Sequence, residues 1–439
     1  MQSNCIIFII TYISAVNPFK FEKIENITGT VKFIEFGPDS NIYIGSKYES
    51  SQTIYKLNAD KKIIAKDESL TGIQKLIVTS SNNAYVFDSG TSSGPNGGSI
   101  YFIGHNASHV EKVYEFPLNE GQSHVYFMDE REKIYFNTAY GVAALQTSLH
   151  EKRGLTTPKS INNLEDFSIG SDSSYAMDKF GRIYFGGIIQ TDKVPKLALI
   201  QAHELYKLVP SAELVNMPNS KLSSISTVST DGRKRNTIIA FNGNYARIYR
   251  FTQFGQLELI FGEYAQNFGK FFTTKHRFYF FARNTFMKDC YLNYGYYWED
   301  DSGYPSYTFS SISNMNFMDY DCEQAIFSSD SGENIFFAVG KKKVFTLKKN
   351  EMYVKKINFP EGEPEYEVTA LVVDESDSLW ILAGDLFKVE KDTLKAEQIT
   401  NSTIAAESGF MIIHPETKEL FIGSENGLHI YSDDQTEII

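Results

Sequence analysis

Tyr294, Tyr297, Trp298 and Tyr307 fall within CYLNYGYYWEDDSGYPSYTF, running from Cys290 to Phe309. Six tyrosines, one of the chain's two tryptophans and three consecutive acids share these twenty residues. Flat aromatic faces at this density suit stacking of a planar ligand. Glu299, Asp300 and Asp301 beside them supply acceptors for an amine or hydroxyl proton, or a place for a cation. The expected ligand-binding set is therefore Tyr294, Tyr297, Trp298 and Tyr307. The plainer reading is an elongated outer hairpin whose aromatics pack on neighbouring strands. Tyrosine is a routine strand residue, which favours that reading.

Cys290 and Cys322 bracket the segment. They are the only cysteines besides Cys5. In an oxidising compartment such a lone pair most simply forms one disulfide. It closes a loop of about thirty residues, worth roughly 3–4 kcal/mol by chain entropy; two separate buried thiols are the alternative. With the disulfide, residues 290–322 read as a stapled insertion forming a flap over one face of the fold.

Other reactive residue types are sparse in pattern. The acids of the segment, with Asp319 and Asp321, offer oxygen ligands but lack the D-x-[DN]-x-[DN]-G spacing of a calcium loop. Of eight histidines only His105 and His109 are close, and GHNASH is not helical, so a zinc pair is not expected. There is no G-x-S-x-G elbow, phosphate-binding glycine loop or HExxH. No metal, cofactor or catalytic residue is therefore expected. Seven lysines between Lys341 and Lys356 suggest an anion-binding face, or a set of solubilising charges at hairpin ends, and the second is favoured. GRKR at Gly232–Arg235 reads as a dibasic processing site or an exposed hairpin turn, the latter favoured.

The chain has 439 residues and a net charge of −12. That balance opposes nucleic-acid binding and adhesion to anionic membranes. Residues 1–15, MQSNCIIFIITYISA, carry no charge, are largely apolar from Cys5 to Ile13 and reach a small residue at Ala15. They read as a secretory signal cleaved near Ala15, with a buried first strand as the alternative. No other stretch approaches the ~20 apolar residues that span a bilayer. An exported protein fits the three sequons at Asn26, Asn106 and Asn401.

These residues must be positioned by a repeat that runs the length of the chain. VKFIEFGPDSNIYIGS, VYFMDEREKIYFNT, SYAMDKFGRIYFGG, AIFSSDSGENIFFAVG, ALVVDESDSLWILAG and FMIIHPETKELFIGS share one plan: an apolar run, a polar turn and a second run with a central aromatic. Looser copies start at Leu76, Ile225 and Lys270. The runs are too short for helices, and Asp, Gly, Asn and Ser supply the turns. The centres are Tyr43, Tyr85, Tyr135, Tyr184, Ile239, Tyr279, Phe336, Trp380 and Phe421, spaced by 40 to 57 residues.

Four-stranded units at this spacing predict an all-β fold, a single β-propeller over residues 16–439; a β-sandwich is the competitor. Eight blades are preferred within a range of seven to nine, because Lys270–Phe337 reads as one blade plus an insertion. FKFEKIE from Phe19 is expected to complete the last blade and close the ring.

REKIYFNTAYGVAAL and ETKELFIGSENGLHIYS resemble the repeats of insect haemolymph ommochrome-binding proteins, within the broad texture of secreted propellers. The resemblance implies binding of a planar, tryptophan-derived pigment or metabolite without catalysis. The expected function is thus a secreted, non-enzymatic binding protein with a small aromatic ligand. An extracellular protein-interaction propeller is the alternative. A calcium-dependent lactonase-like hydrolase is a second alternative, for which Asp129, Asp178 and Asp374 are the candidate acids, although a turn role explains them.

Overall fold

The computed structural model describes residues 19–24, 26–49, 51–88, 98–116, 126–128, 133–138, 141–146, 159–170, 175–207, 210–215, 224–230, 237–242, 246–251, 255–263, 267–284, 289–299, 305–312, 325–340, 342–400, 404 and 409–433. Among them the regular structure is strand throughout, apart from one 3-10 turn at Glu204–Tyr206. The strands form nine antiparallel sheets in chain order. Numbered as blades, they cover residues 30–70, 73–115, 126–160, 167–215, 224–263, 267–311, 326–356 and 370–398; blade 9 covers 409–433 and takes in Phe19–Lys23 as its outer strand.

Nine hydrophobic clusters hold the blades, one at each boundary between neighbours. Strand alternation explains how one blade serves two boundaries. In blade 6, Tyr279 and Phe281 pack toward blade 7, while Phe278, Phe280 and Ala282 pack toward blade 5. The boundary between blades 9 and 1 closes the circle with Phe421 and Ile430 against Ile34, Ile44 and Tyr55. Phe19 pairs with Asp433 and Lys23 with His429, so the N-terminal strand completes the last sheet.

Each of the nine central residues read from the sequence, Tyr43 through Phe421, lies on the second strand of its own blade. The glycines that follow several of them have a steric reason. A Cβ on Gly45 would stand 2.0 Å from the Phe33 ring and one on Gly423 2.5 Å from the Phe410 ring, because an innermost-strand phenylalanine lies flat over the glycine.

The turns joining first and second strands also repeat. The N–H of Gly37, Thr79, Asp178, Asp330, Asp374 and His414 donates to the carbonyl of Asn41, Asn83, Arg182, Asn334, Ser378 and Glu419 respectively. Within each turn one residue has positive φ: Ser40, Asn82, Gly181, Glu333, Asp377 or Lys418. Three of these residues also reach the preceding blade. Asn82 Oδ1 accepts the Asp39 N–H (2.9 Å), Glu333 Oε2 accepts the His276 N–H (2.9 Å) and Asp377 Oδ1 accepts the Ser331 N–H (2.8 Å). Two fully buried lysines also fasten blade boundaries, one of them the boundary that Asn82 spans. Lys56 Nζ donates to carbonyls of the blade 2 turn at Gly104 and His105, and Lys133 Nζ to Leu205 (2.9 Å) and Lys207 (2.7 Å) of blade 4. Each ammonium satisfies main-chain oxygens that the apolar boundary would leave bare.

Nine blades lie within the expected range but exceed the preferred eight. The stretch from Lys270 to Phe337 holds parts of two blades. Of the insertion expected at 290–322, the described residues form the outer half of blade 6, with Asp289–Glu299 as third strand and Pro305–Ser311 as outer strand, while residues 300–304 and 313–322 lie outside the described residues. The third strand runs to eleven residues, which is what made the interval look too long for one sheet.

Candidate functional site

The aromatic segment lies on the outer half of its sheet, away from the axis around which the blades pack. Tyr294 turns inward. Its ring is 6.1 Å from that of Tyr279, the Arg277 guanidinium stands 5.2 Å from its centroid, and it packs on the cluster between blades 6 and 7. Tyr297 pairs in register with Tyr307, and Trp298 with Ser306. Asp300, Asp301, Asp319, Asp321 and Cys322 lie outside the described residues. Cys290 is buried in the cluster shared by blades 6 and 7. The four aromatics therefore occupy two adjacent outer strands of blade 6, and Tyr294 has a packing role.

Two of the candidate acids hold turns. Asp178 Oδ1 accepts the N–H groups of Phe180 (2.9 Å) and Arg182 (3.0 Å), while its Oδ2 takes Arg182 Nε (2.7 Å) and the Tyr184 hydroxyl (3.1 Å). Asp374 Oδ1 accepts from Ser376 and Ser378 N–H, each at 2.9 Å, and its Oδ2 from the Trp380 indole N–H at 2.8 Å. The central aromatic thus fastens its strand to the turn preceding it. Asp129 lies outside the described residues. Among the described residues no group of three or more His, Cys, Asp or Glu side chains is placed to hold a metal ion.

Three of the described histidines have local partners. His105 Nδ1 is 2.7 Å from Asp39, His276 Nδ1 lies at 2.5 Å from Glu333, and His414 Nδ1 accepts the N–H groups of Glu416 and Thr417. His109 is exposed. The lysine run is largely neutralised. Lys348 pairs with Asp392 (2.8 Å), Lys349 with Glu333 (2.6 Å), Lys355 with Glu351 (2.8 Å) and Lys356 with Glu363 (3.1 Å), while Lys342 donates to the Glu365 carbonyl. It matches the solubilising reading rather than an open anionic-ligand face.

The hub holds a constellation that sequence reading missed. The innermost strands face the axis, and their chemistry is unevenly distributed. Blades 7, 8 and 9 contribute Ile326–Ser329, Ala370–Val373 and Gly409–Ile413, which contain no charged residue and are mostly half-buried. Blades 1 and 2 contribute Lys32, Glu35 and Lys75. Lys75 Nζ donates to the Tyr175 hydroxyl of blade 4 at 3.1 Å and stands 5.3 Å from that ring's centroid. Blade 3 lies between blades 2 and 4 in ring order, so the pair links blades that are not neighbours.

Glu35 reaches solvent yet is crowded by protein, as a channel-lining group would be. That burial raises its carboxyl above the usual range, and the Lys75 charge pulls it partly back. Tyr175 reaches this place because the inner edge of blade 4 is split: Phe167–Ile169 and Tyr175–Met177 pair with successive halves of Ile183–Ile189. The result is a hub in which the uncharged strands of blades 7, 8 and 9 are followed in ring order by an arc that carries an acid, two ammonium groups and a phenol.

No family model and no curated protein matches the chain. Among solved structures it is similar to the Dos1 propeller, with a TM-score of 0.51 and 11% identity over 95% of this chain and 96% of that one. It is also similar to virginiamycin B lyase from Staphylococcus aureus, with a TM-score of 0.41 and 10% identity over 94% and 98% of the two chains. A third neighbour is AztD from Citrobacter koseri, with a TM-score of 0.45 and 9% identity over 87% and 88%. At such identities the likeness concerns the fold alone.

Proposed function

We propose that this chain is an exported, non-enzymatic binding propeller that holds a small planar aromatic molecule at its hub. The observation that carries the reading is the divided hub lining. One arc is uncharged, and the arc from blades 1 and 2 presents Glu35 and Lys75, the latter joined to Tyr175. An apolar wall with a few convergent polar groups is the usual make-up of a small-molecule site. A flat ring would lie along the uncharged arc with its polar end on Lys75, Tyr175 and Glu35. The engagement of Asp178 and Asp374 in turns supports binding over hydrolysis, because neither carboxylate is left to direct chemistry. The apolar leader and the sequons support export. The repeat resemblance described above makes tryptophan-derived pigments the first ligands to try.

Calorimetric titration with a panel of such compounds tests the reading. A member should bind, and Lys75→Met and Tyr175→Phe should each weaken it about tenfold, the scale of one lost charge-assisted hydrogen bond. Binding untouched by both substitutions, or absent throughout the panel, would remove the hub site.

A further inference from the structure

Asn106 stands on a turn that its neighbours fix from several sides. The buried Lys56 ammonium donates to the carbonyls of Gly104 (3.0 Å) and His105. The Asn83 side chain accepts the His105 N–H at 3.1 Å, and Asp39 lies 2.7 Å from His105 Nδ1. The Ala107 N–H closes back on the Gly104 carbonyl at 3.0 Å. Asn106 itself is exposed.

Beside it, between blades 1 and 2, opens a cleft of about 480 Å³. Residues 105–108, including the whole sequon, form one wall. Asn58, Asp60 and Ile64 of blade 1 form the other, with Asp39 and Asn41 also lining it. Ile64 keeps 39% of its surface exposed, an apolar side chain left in a polar cleft.

We propose that Asn106 carries an N-linked oligosaccharide whose first acetamido sugar lies in this cleft and clamps blade 1 to blade 2. The proposal rests on the export reading above. In the transfer, Asn106 Nδ2 bonds to the anomeric carbon of a lipid-diphosphate-linked oligosaccharide. The bond from that carbon to the diphosphate breaks, and the amide loses one proton as the lipid diphosphate departs. The Ser108 hydroxyl completes the acceptor sequence. Once attached, the sugar's hydroxyl and acetamide groups meet the amide of Asn58 and the carboxylate of Asp60, while a C–H face of the ring covers Ile64. Because the turn is already rigid, little ordering opposes the contact.

The test uses the full chain secreted from cells that glycosylate. Glycopeptide mass spectrometry reads occupancy at Asn26 and Asn106. Hydrogen exchange of residues 58–64 is then compared before and after enzymatic sugar removal under native conditions. Asn106→Gln and Ser108→Ala abolish the sequon, and Ser108→Thr keeps it. The expected result is a modified Asn106, and exchange in 58–64 that quickens about tenfold when the sugar is lost, with Ser108→Thr like the parent. A bare Asn106 on an exported chain that carries sugar at Asn26 overturns the clamp and leaves export standing. A chain kept inside the cell with both sites bare overturns both. A modified Asn106 whose removal leaves exchange unchanged overturns the clamp alone, and the enzymatic arm decides this even if the substitutions impair folding.

Discussion

The carboxylate of Asp377 accepts both the backbone N–H of Ser331, at 2.8 Å, and its hydroxyl, at 2.9 Å, so that a turn of blade 8 grips the turn of blade 7. Asp377 sits at φ 62°, a conformation Asp and Asn tolerate better than most residues, and Lys391 pairs at 2.7 Å with the same Oδ2 that accepts the Ser331 hydroxyl. Asp377→Ala should cost roughly 1–3 kcal/mol by removing these hydrogen bonds and leaving the Ser331 groups unmet. Asp377→Asn, which keeps an acceptor and the backbone preference, should cost less than half as much. Urea unfolding of the two variants measures the difference, and equal losses would mean that the contact between blades contributes little.

Acid should unfold the ring in two windows. Burial raises the Glu333 carboxyl, but hydrogen bonds from Lys349, His276 and Thr274 outweigh it and hold the group at about 2. Asp377 is held at about 2 by Lys391 and by the Ser331 N–H and hydroxyl. Both lie below their unfolded values, so the stability they contribute is complete above the ordinary carboxylate range and is lost as pH falls from about 5 toward 2. His429 is lowered to about 4 by burial and by the Lys23 charge. The folded chain keeps it neutral where the unfolded chain takes up a proton, so stability falls as pH drops from about 6.5 toward 4. The urea midpoint followed against pH should decline through both windows. His429→Gln should flatten the upper one and Glu333→Gln the lower. A midpoint unchanged between pH 7 and 4 would contradict the upper assignment.

Circular closure rests on five residue pairs between Phe19–Lys23 and the last strand. Removing residues 1–23 opens the edge of Gly427–Asp433 to solvent and to other chains. The truncated protein should melt at lower temperature and associate in size-exclusion chromatography, and a shortened chain that stays monomeric with an unchanged melting point would show the closing strand to be dispensable.

Cys290 and Cys322 should be joined. Peptide mapping without reduction is expected to recover them in one linked pair, and reduction should lower stability by roughly 3–4 kcal/mol for a loop of this length. Recovery of both as free thiols would return them to the alternative of separate buried cysteines.

The sequence carried the ring well because its signals are local. An apolar run, a turn and a central residue that is aromatic in all units but the one at Ile239 recur nine times, and each central residue from Tyr43 to Phe421 took the expected strand position. The closing role of Phe19–Lys23 was legible because the last unit lacked an outer strand. The turn role of Asp178 and Asp374 could likewise be read from their place after an apolar run. Blade 6 was harder: a third strand of eleven residues with a dense aromatic face looks like an excursion from a repeat whose other strands are shorter. The hub was invisible. Lys75 and Tyr175 are one hundred residues apart, and nothing in either neighbourhood announces the other. The grips of Asn82, Glu333 and Asp377 on preceding turns escaped notice too, since each is also an ordinary turn residue.

Native mass spectrometry of the protein purified without denaturation from its source most directly tests binding at the hub. The expected spectrum shows a non-covalent adduct of a small aromatic compound at one copy per chain, absent from the Lys75→Met variant. A bare protein mass, or an adduct that the variant retains in full, would contradict it.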